Sequence, residues 1–366
     1  MTERSIVEAA ARLRRQGEPH LVATVVCVHG AAYRKPGARM LLTRFRWIAG
    51  TASGGGLEGD LSHDAWLGTR EGAPVLVRFD ARTPADADVR AAFGLGCDGI
   101  VEVMVERAGT PGRSDRIDPL ALAHECLRAQ RRAAVATVFR SDAPGVAVGA
   151  RIALRSGGEL FGDALPDAAR AQLANDVRAA IEDGASATRS YRAEGGGFDA
   201  FVEALLPPPR LFVLGTGHDA VPVVEAARAL GWDVAVCTHE PRVAIRERFS
   251  RADEVVIASP TELALRVDEC DRAVAIVMGH DYELDRAHVG MLVASRARYI
   301  GVLGPRARTT RMLADLGLGE RGDARIHAPL GLPLGAETPQ ELALAAIAEI
   351  QAALARAPDV RLRDVA

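Results

Sequence analysis

Hydrophobic and polar positions follow a regular pattern in the second half of the chain. Short apolar runs typical of buried strands occur at Arg210–Leu214, Asp233–Cys237, Glu254–Ala258, Ala273–Met278 and Tyr299–Leu303. A segment with helical periodicity follows each of them, at 218–230, 241–250, 260–267, 284–295 and 306–316. Strands that alternate with helices predict a doubly wound parallel sheet. Continuous apolar strands fit such a sheet because helices cover both of its faces.

A last helix is predicted at 339–356. Its start is marked by Thr338 as the N-cap, Pro339 at the first helical position and Glu341 three residues after the cap.

The first half of the chain mixes helices and strands less regularly. Strands are predicted at Leu21–Val28, Ala38–Thr43, Trp47–Ala49, Pro74–Asp80, Ile100–Glu106, Ala133–Phe139 and Arg151–Leu154. Helices are predicted at 4–15, 57–69, 119–130 and 168–182. This half is therefore expected to be a mixed α/β domain, to which we attach residues 119–205 although their pattern is the least regular.

The run Pro207-Pro208-Pro209 is the clearest boundary, because consecutive prolines continue neither a helix nor a central strand. We expect an N-terminal domain at 1–206 and a C-terminal domain at 207–366, with an internal linker at 107–118, which is polar and contains proline and glycine.

Composition and charge exclude several classes of protein. The formal net charge is −3 in 366 residues, without the basic excess of a nucleic-acid binder. Five cysteines without metal-type spacing favour reduced cytosolic thiols over a disulfide scaffold. The sequence shows no signal-peptide core and no apolar run long enough to span a membrane. We therefore expect a cytoplasmic protein that contacts neither nucleic acid nor the membrane interior.

The strongest chemical motif is Gly215-Thr-Gly217-His218-Asp-Ala220, between a predicted strand and a predicted helix. This is the G-x-G-x-x-A pattern of a Rossmann-like domain, whose glycines allow a phosphate to approach the free N–H groups of the helix. A tight turn without a ligand is the alternative. A dinucleotide enzyme would also place an acid at the end of the second strand, and Glu240 is displaced from that end by two positions.

Polar residues also follow the other strands of the predicted parallel sheet. They are His218, His239, Ser259, His280, Asp281 and Arg306. Because ligands bind outside the carboxyl ends of parallel strands, this set predicts a polar ligand site. The alternative is a series of ordinary loop and capping residues.

Two glycine-rich segments stand out in the first half. Ser53-Gly54-Gly55-Gly56 opens a predicted helix and suggests an anion-binding nest, to which Arg34 and Lys35 would add charge; a flexible loop is the alternative. Gly94-Leu-Gly96-Cys97 places a thiol between glycines, which favours an accessible cysteine able to bind metal as thiolate, while a tight turn with Cys97 as filler is the alternative. Cys27 and Cys237 lie in apolar strands and are interpreted as inert core residues.

With these motifs the sequence resembles the XdhC/CoxI family of xanthine dehydrogenase accessory proteins. The resemblance rests on Arg34-Lys-Pro-Gly-Ala38, Ser53-Gly-Gly-Gly-Leu-Glu-Gly59, Gly94-Leu-Gly-Cys97, Gly215-Thr-Gly-His218, Glu247-Arg-Phe249, Met278-Gly-His-Asp281, Gly301-Val-Leu-Gly-Pro-Arg306 and Gly335-Ala-Glu-Thr-Pro339. It covers most of the chain and is weakest at 107–205.

The resemblance implies binding of molybdenum cofactor (molybdopterin), its protection during sulfuration and its insertion into a molybdenum hydroxylase of the xanthine dehydrogenase or carbon monoxide dehydrogenase type. No turnover by the chain itself is expected, so we assign no catalytic residue. The partners expected with this role are the hydroxylase, a cysteine desulfurase and a second copy of the chain in a homodimer. The cofactor contacts are expected from Gly215, Gly217, His218, His280, Asp281, Arg306, Ser53, Gly54, Gly55 and Cys97, with Cys97 as the metal-contacting thiolate.

The sequence departs from the family pattern in two places. Gly56 stands where the family has a cysteine, and Thr238 and Glu240 stand where it has an acid and an arginine. Two other functions therefore stay open: an NAD(P)-dependent oxidoreductase, supported by the glycine motif, and a regulatory sensor that binds a ligand without delivering it.

Overall fold

The computed structural model describes residues 3–32, 34–51, 65–80, 98–108, 117–239, 243–318 and 323–355. The chain divides into two compact units, Met1–Pro207 and Pro208–Ala366. Among the described residues, no helix has both the length and the apolar character needed to cross a bilayer.

The first unit begins with an antiparallel sheet that is covered on one face by a helix. The helix is α1 (Glu3–Arg15), and the strands are β1 (His20–Ala31), β2 (Arg39–Leu42), β3 (Trp47–Gly50), β4 (Val75–Asp80) and β5 (Asp98–Ala108). Their order in the sheet is β3-β2-β1-β5-β4. Because β5 continues to Ala108, the first two residues of the predicted linker belong to a strand. Of the helix predicted at 57–69, only the end is described, and residues 65–68 are helical.

A second antiparallel sheet follows in the same unit. It contains β6 (Ala133–Ser141), β7 (Arg151–Arg155), β8 (Leu160–Gly162), β9 (Ala187–Ala193) and β10 (Gly196–Leu205), in the order β8-β7-β6-β10-β9. Helix α2 (Pro119–Ala129) precedes it, and α3 (Asp167–Asp183) packs on it. The sequence pattern predicted β6 and β7 and missed β8, β9 and β10.

The two sheets of this unit meet through a buried apolar cluster. Val26 and Met104 of the first sheet contact Phe139 and Phe201 of the second. A buried ion pair between Arg39 of β2 and Glu203 of β10 also joins the two sheets.

The second unit is a six-stranded parallel sheet with helices on both faces. Its strands are β11 (Arg210–Leu214), β12 (Asp233–Thr238), β13 (Glu254–Ile257), β14 (Ala273–Val277), β15 (Ile300–Val302) and β16 (Ile326–His327). The helices are α4 (Ala220–Ala229), α5 (Val243–Arg248), α6 (Pro260–Asp268), α7 (Tyr282–Ala294), α8 (Arg306–Asp315) and α9 (Pro339–Ala355).

The strand order β13-β12-β11-β14-β15-β16 is the 3-2-1-4-5-6 order of the Rossmann fold. Residues on alternate sides of β11 enter different cores: Leu211 and Val213 pack with α4 and α9, whereas Phe212 and Leu214 pack with α6 and α7. The predicted fold class is confirmed. Among the described helices and strands of this unit, only the two-residue strand β16 lacked a predicted counterpart.

Candidate functional site

The parallel sheet has a switch point between β11 and β14. β11 pairs with β12 on one side and with β14 on the other, all in parallel. The chain leaves β11 toward one face of the sheet and β14 toward the other, so their loops diverge and leave a crevice at the carboxyl ends of the strands. The residues of these two loops form the candidate site.

The loop after β11 requires glycine at position 215 and leaves little room for a side chain at position 217. Gly215 has φ of +144°, and a Cβ there would lie 2.6 Å from the carbonyl oxygen of Met278 at the end of β14. A Cβ on Gly217 would lie 2.4 Å from Asp219 Oδ1 and 3.5 Å from His280 Nε2. The first glycine allows the two strand ends to approach each other, and the second keeps the loop backbone accessible beside His280.

Hydrogen bonds hold this loop at the start of α4. The N–H of Ala220 donates to Gly217 O at 3.3 Å, and that of Val221 donates to His218 O at 3.3 Å. Arg248, at the end of α5, donates from Nη1 to Thr216 O at 2.6 Å. The loop is thus anchored from a second element, and the positive end of the α4 dipole lies directly behind it.

The loop after β14 carries His280 and Asp281. The His280 side chain is exposed, and its Nε2 would lie 3.5 Å from a Cβ built on Gly217 in the first loop. Asp281 is the N-cap of α7, and its Oδ1 accepts a hydrogen bond from Leu284 N at 2.9 Å. One oxygen of this carboxylate is therefore engaged in starting the helix, which is the common role of an N-cap aspartate.

A buried ion pair lies behind the second loop. Asp285, in the first turn of α7, is 1% exposed at its side chain and accepts a bond at 2.7 Å from Nη2 of Arg308 in α8. Burial raises the pKa of Asp285, and the neighbouring Arg308 guanidinium opposes that rise. The pair fixes α7 and α8 relative to each other next to the crevice.

A buried histidine extends this polar interior along α7. His288 is 9% exposed, and no described residue bonds its Nδ1. Burial, with a smaller contribution from the charge of His239 at the end of β12, lowers the pKa of His288 to about 4. His288 is therefore neutral at neutral pH, with one ring nitrogen able to donate or accept.

The predicted site residues lie as follows. Gly215, Gly217 and His218 are in the first loop, His280 and Asp281 are in the second, and Arg306 is the exposed first residue of α8. The guanidinium that enters the interior is that of Arg308, two residues further along the same helix. Ser53, Gly54, Gly55 and Cys97, like Gly56 and Glu240, lie outside the described residues.

Sequence analysis missed Asp285, His288 and Arg308 because each lies inside a helix and not at a strand end. A usable signal was present in α7. Asp281, Asp285 and His288 have the i, i+4, i+7 spacing of one helical face, and this polar face was not recognised.

Two family models match the chain. One, described as the XdhC Rossmann domain, matches residues 211–350, and the other, described as the XdhC and CoxI family, matches residues 13–80. Together they span more than half of the sequence.

Two known proteins are similar to this chain in sequence, one over most of its length. A Bacillus subtilis (strain 168) protein, described as a probable subunit of xanthine dehydrogenase, is 28% identical over 333 residues, which is 91% of this chain and 92% of that protein. The Escherichia coli (strain K12) protein YqeB, described as uncharacterized, is 30% identical over 161 residues, which is 43% of this chain and 29% of that protein.

The fold is also shared with a solved structure. A crystal structure from Bacillus halodurans, described as that of a xanthine dehydrogenase, superposes with a TM-score of 0.73 at 23% sequence identity. The superposition covers 98% of this chain and 97% of that one, so both units have counterparts in one natural protein.

Proposed function

The chain belongs to the XdhC and CoxI family, and from this membership we propose that it binds molybdenum cofactor and delivers it to a molybdenum hydroxylase. The family suggests an accessory role for xanthine dehydrogenase and a molybdenum hydroxylase as the partner. The proposal adds the cargo, the delivery step and the site. A carbon monoxide dehydrogenase-type enzyme is the other hydroxylase considered, and a cysteine desulfurase and a second copy of the chain are further proposed partners.

The observation that carries the proposed site is the accessible glycine loop at the switch point. Molybdopterin ends in a phosphate, and the start of α4 behind Gly217 is suited to an anion because the positive end of the helix dipole points toward it. The closeness of a Gly217 Cβ to Asp219 Oδ1 and His280 Nε2 means that any larger residue would fill the space beside the loop.

The remainder of the cofactor would extend toward the second loop. His218 and His280 are both exposed there and offer hydrogen bonds to a pterin ring. Arg306, exposed at the start of α8, is proposed to contact the phosphate or another oxygen of the cofactor. Asp281 supplies one carboxylate oxygen to the α7 N-cap, and its other oxygen is proposed as an acceptor.

The glycine nest and Cys97 complete the proposal in the first unit. Ser53, Gly54 and Gly55 would supply N–H groups to an anion. Cys97 would contact molybdenum or its sulfur as a thiolate, because soft thiolate ligands suit such a contact. Gly56 removes the cysteine that the family has at that position, so this role falls to Cys97.

A binding measurement with released molybdopterin tests the site. The purified full chain should quench or shift pterin fluorescence with saturation at one cofactor per chain. Gly217→Ala and His280→Ala should each weaken binding by about 10-fold or more, since each loses about one hydrogen bond or the close approach of the phosphate. Arg306→Ala should also weaken binding, and Arg311→Ala is its matched control, because Arg311 is an exposed arginine on the same helix but faces the ring of Tyr282.

The same titration separates the alternatives. Saturable binding of NAD(P) with hydride transfer, and none of molybdopterin, would replace the proposal by an oxidoreductase. Pterin binding without activation of a co-expressed hydroxylase would support the alternative of a regulatory sensor that binds the ligand without delivering it. Unchanged pterin affinity in both Gly217→Ala and His280→Ala would contradict the location of the site.

A further inference from the structure

A β-bulge in the first unit changes which face of β1 its residues occupy. The register of β1 on β5 shifts between Val25 and Cys27, so that Val25 pairs with Val103 and Cys27 pairs with Glu102. Before the bulge, Val25 points into the core of the first sheet. After it, Cys27 joins Val26 on the opposite face, in the cluster shared with the second sheet.

The bulge brings three metal-binding side chains together. Cys27, His29 two residues later on the same face, and Glu102 on the paired strand each offer one ligand atom, and these atoms lie within 4.8 Å of one another. Cys27 Sγ and His29 Nε2 are 3.3 Å apart. Two ligands of a tetrahedral zinc ion lie roughly 3.5 Å apart, given metal–ligand distances of about 2.0–2.3 Å.

Among the described residues, one carboxylate oxygen in this cluster has no hydrogen-bond partner. Glu102 is 4% exposed, and its Oε1 accepts a bond at 2.5 Å from Nη2 of Arg140. Its Oε2 is buried, and the described part of the chain provides no hydrogen bond to it. An unsatisfied buried carboxylate oxygen is costly, and a bound cation would remove that cost.

We propose that Cys27, His29 and Glu102 form a binding site for a divalent cation of the zinc class. The ligand atoms would be Cys27 Sγ as a thiolate, His29 Nε2 and Glu102 Oε2, and binding releases the thiol proton to solvent. A sulfur, a nitrogen and an oxygen donor together are typical of zinc, whereas magnesium and calcium take oxygen ligands. Because His29 is exposed, a fourth ligand can reach the ion from solvent.

The surrounding charges favour a cation. Arg140 donates from Nη1 to Asp199 Oδ2 at 2.7 Å as well as to Glu102, so its charge is offset by two carboxylates. A Cys27 thiolate would bring the local charge to about −2, which matches a divalent ion. Without metal, burial and the Glu102 carboxylate raise the pKa of the Cys27 thiol, and a cation reverses that effect by stabilising the thiolate.

Arg140 and Asp199 would act as outer-sphere residues. Hydrogen bonds to a ligating carboxylate orient it and are typically worth about 10–100-fold in metal affinity. Arg140 already holds Oε1 and leaves Oε2 without a hydrogen bond from any described residue. The three ligands are thus held in place by the strand pairing of β1 and β5 and by a side chain from β6.

Cobalt is a suitable probe, because a cobalt–thiolate bond gives a near-ultraviolet charge-transfer band. We expect the untagged full chain, stripped with a chelator, to bind one equivalent of Co²⁺ with this band and to release it when Zn²⁺ is added. Cys27→Ser should abolish the band. His29→Gln should weaken cobalt binding at least about 100-fold, at or beyond the upper range for loss of an outer-sphere partner.

Controls make the outcome specific. Cys237→Ala removes a cysteine that is buried in the parallel sheet and should keep the band at full intensity. His29 is exposed, so His29→Gln is expected to fold even where Cys27→Ser does not. The site would be overturned if the wild-type chain shows no cobalt–thiolate band. It would also be overturned if the band persists in both Cys27→Ser and His29→Gln. A band that is lost in Cys97→Ser and kept in Cys27→Ser would also overturn it. None of these readouts depends on molybdopterin binding.

Discussion

The carboxylate of Asp285 occupies the space into which a side chain on Gly279 would project. A Cβ built on Gly279 would lie 2.1 Å from Asp285 Oδ1, closer than any real contact. The carboxylate is buried and is held from its other side by Arg308. Gly279 is therefore required where the chain leaves β14, and the second loop of the candidate site depends on this close approach.

Gly279→Ala should destabilise the protein. The added methyl group would push against a carboxylate that its ion pair keeps in place, and overpacking of this kind costs about 1–3 kcal/mol. Denaturant unfolding measures the change. Gly157→Ala is the control, because a Cβ there meets no atom within 4 Å, and it should change the free energy of unfolding by less than about 0.5 kcal/mol. Equal stability of both variants would contradict the close approach.

Arg308→Gln should also destabilise the protein, because it leaves the Asp285 charge buried without its partner. Removal of one member of a buried pair costs about 3 kcal/mol or more. The pair Asp285→Asn with Arg308→Gln should recover more than half of that loss in denaturant unfolding, since no charge then remains buried.

The cost of Arg308→Gln should depend on pH. Burial raises the pKa of Asp285 above its ordinary 3.8, and loss of the guanidinium raises it further. A carboxyl with a raised folded pKa contributes stability below its unfolded pKa and loses it as pH rises through the folded pKa. The free energy of unfolding of the variant should therefore approach that of the wild type toward pH 4 and be lower than that of the wild type at neutral pH. A pH-independent difference would exclude Asp285 as its source.

The parallel sheet was predictable because its strands are buried on both faces and stand out as short apolar runs. The second antiparallel sheet was predicted only in β6 and β7. Ala187–Ala193 is mostly polar, with three polar residues in a row, and is exposed or half-buried along its length, so it lacks the apolar pattern of a strand. Gly196–Leu205 begins with two glycines, which favour a turn. Pairing with β6 and β9 supplies the hydrogen bonds that local sequence does not indicate.

Residues of the candidate site could be predicted only where they directly follow a predicted strand. Gly215 and Gly217 were found because their spacing reflects a backbone requirement. Arg308 was missed because helical phase, and not sequence position, directs it inward while Arg306 points outward. Cys27 is buried, as its apolar strand predicted, but nothing in the local sequence indicates the bulge that places it opposite Glu102.

Cys97→Ser should abolish activation of a co-expressed molybdenum hydroxylase while leaving the stability of the chain unchanged. Serine keeps the size of the residue and removes the soft thiolate that the proposed contact requires. Activity of the partner enzyme and the unfolding midpoint of the chain are the measurements. Cys237→Ala is the control, because burial raises the pKa of the Cys237 thiol to about 12 and prevents a thiolate there. Full activation by Cys97→Ser would contradict the thiolate contact, and the proposed role would then be that of a cofactor carrier without sulfur chemistry.

Glu203→Gln should destabilise the first unit by about 3 kcal/mol, because it leaves the Arg39 guanidinium buried between two sheets without its counter-charge. The pair Arg39→Met with Glu203→Leu should recover most of the loss, since apolar residues replace both charges. Glu159→Gln is the control: its carboxylate, bonded to Arg155, is 65% exposed, and its loss should cost less than about 1 kcal/mol in the same unfolding measurement.

His288 should make the second unit sensitive to acid. Burial lowers its pKa to about 4 from an ordinary value of 6.5. Between these two pH values His288 is protonated in the unfolded chain and neutral in the folded chain. Stability from such a group is complete above pH 6.5 and is lost as pH falls toward 4. A shift of this size corresponds to about 3 kcal/mol.

The measurement is the free energy of unfolding at pH 7 and near pH 4 for the wild type and for His288→Gln, which cannot titrate. Wild-type protein should lose about 3 kcal/mol more than the variant over this interval. His239→Gln removes the neighbouring charge that helps to lower the His288 pKa. The folded pKa of His288 should then lie closer to its unfolded value, and the protein should lose less stability in acid. Because that neighbour lies at the end of β12, a reduced loss would place the titrating group at the carboxyl edge of the parallel sheet. If the free energy of unfolding depends on pH in the same way for wild type and His288→Gln, the pKa of His288 is not lowered in the folded protein, and the prediction is wrong.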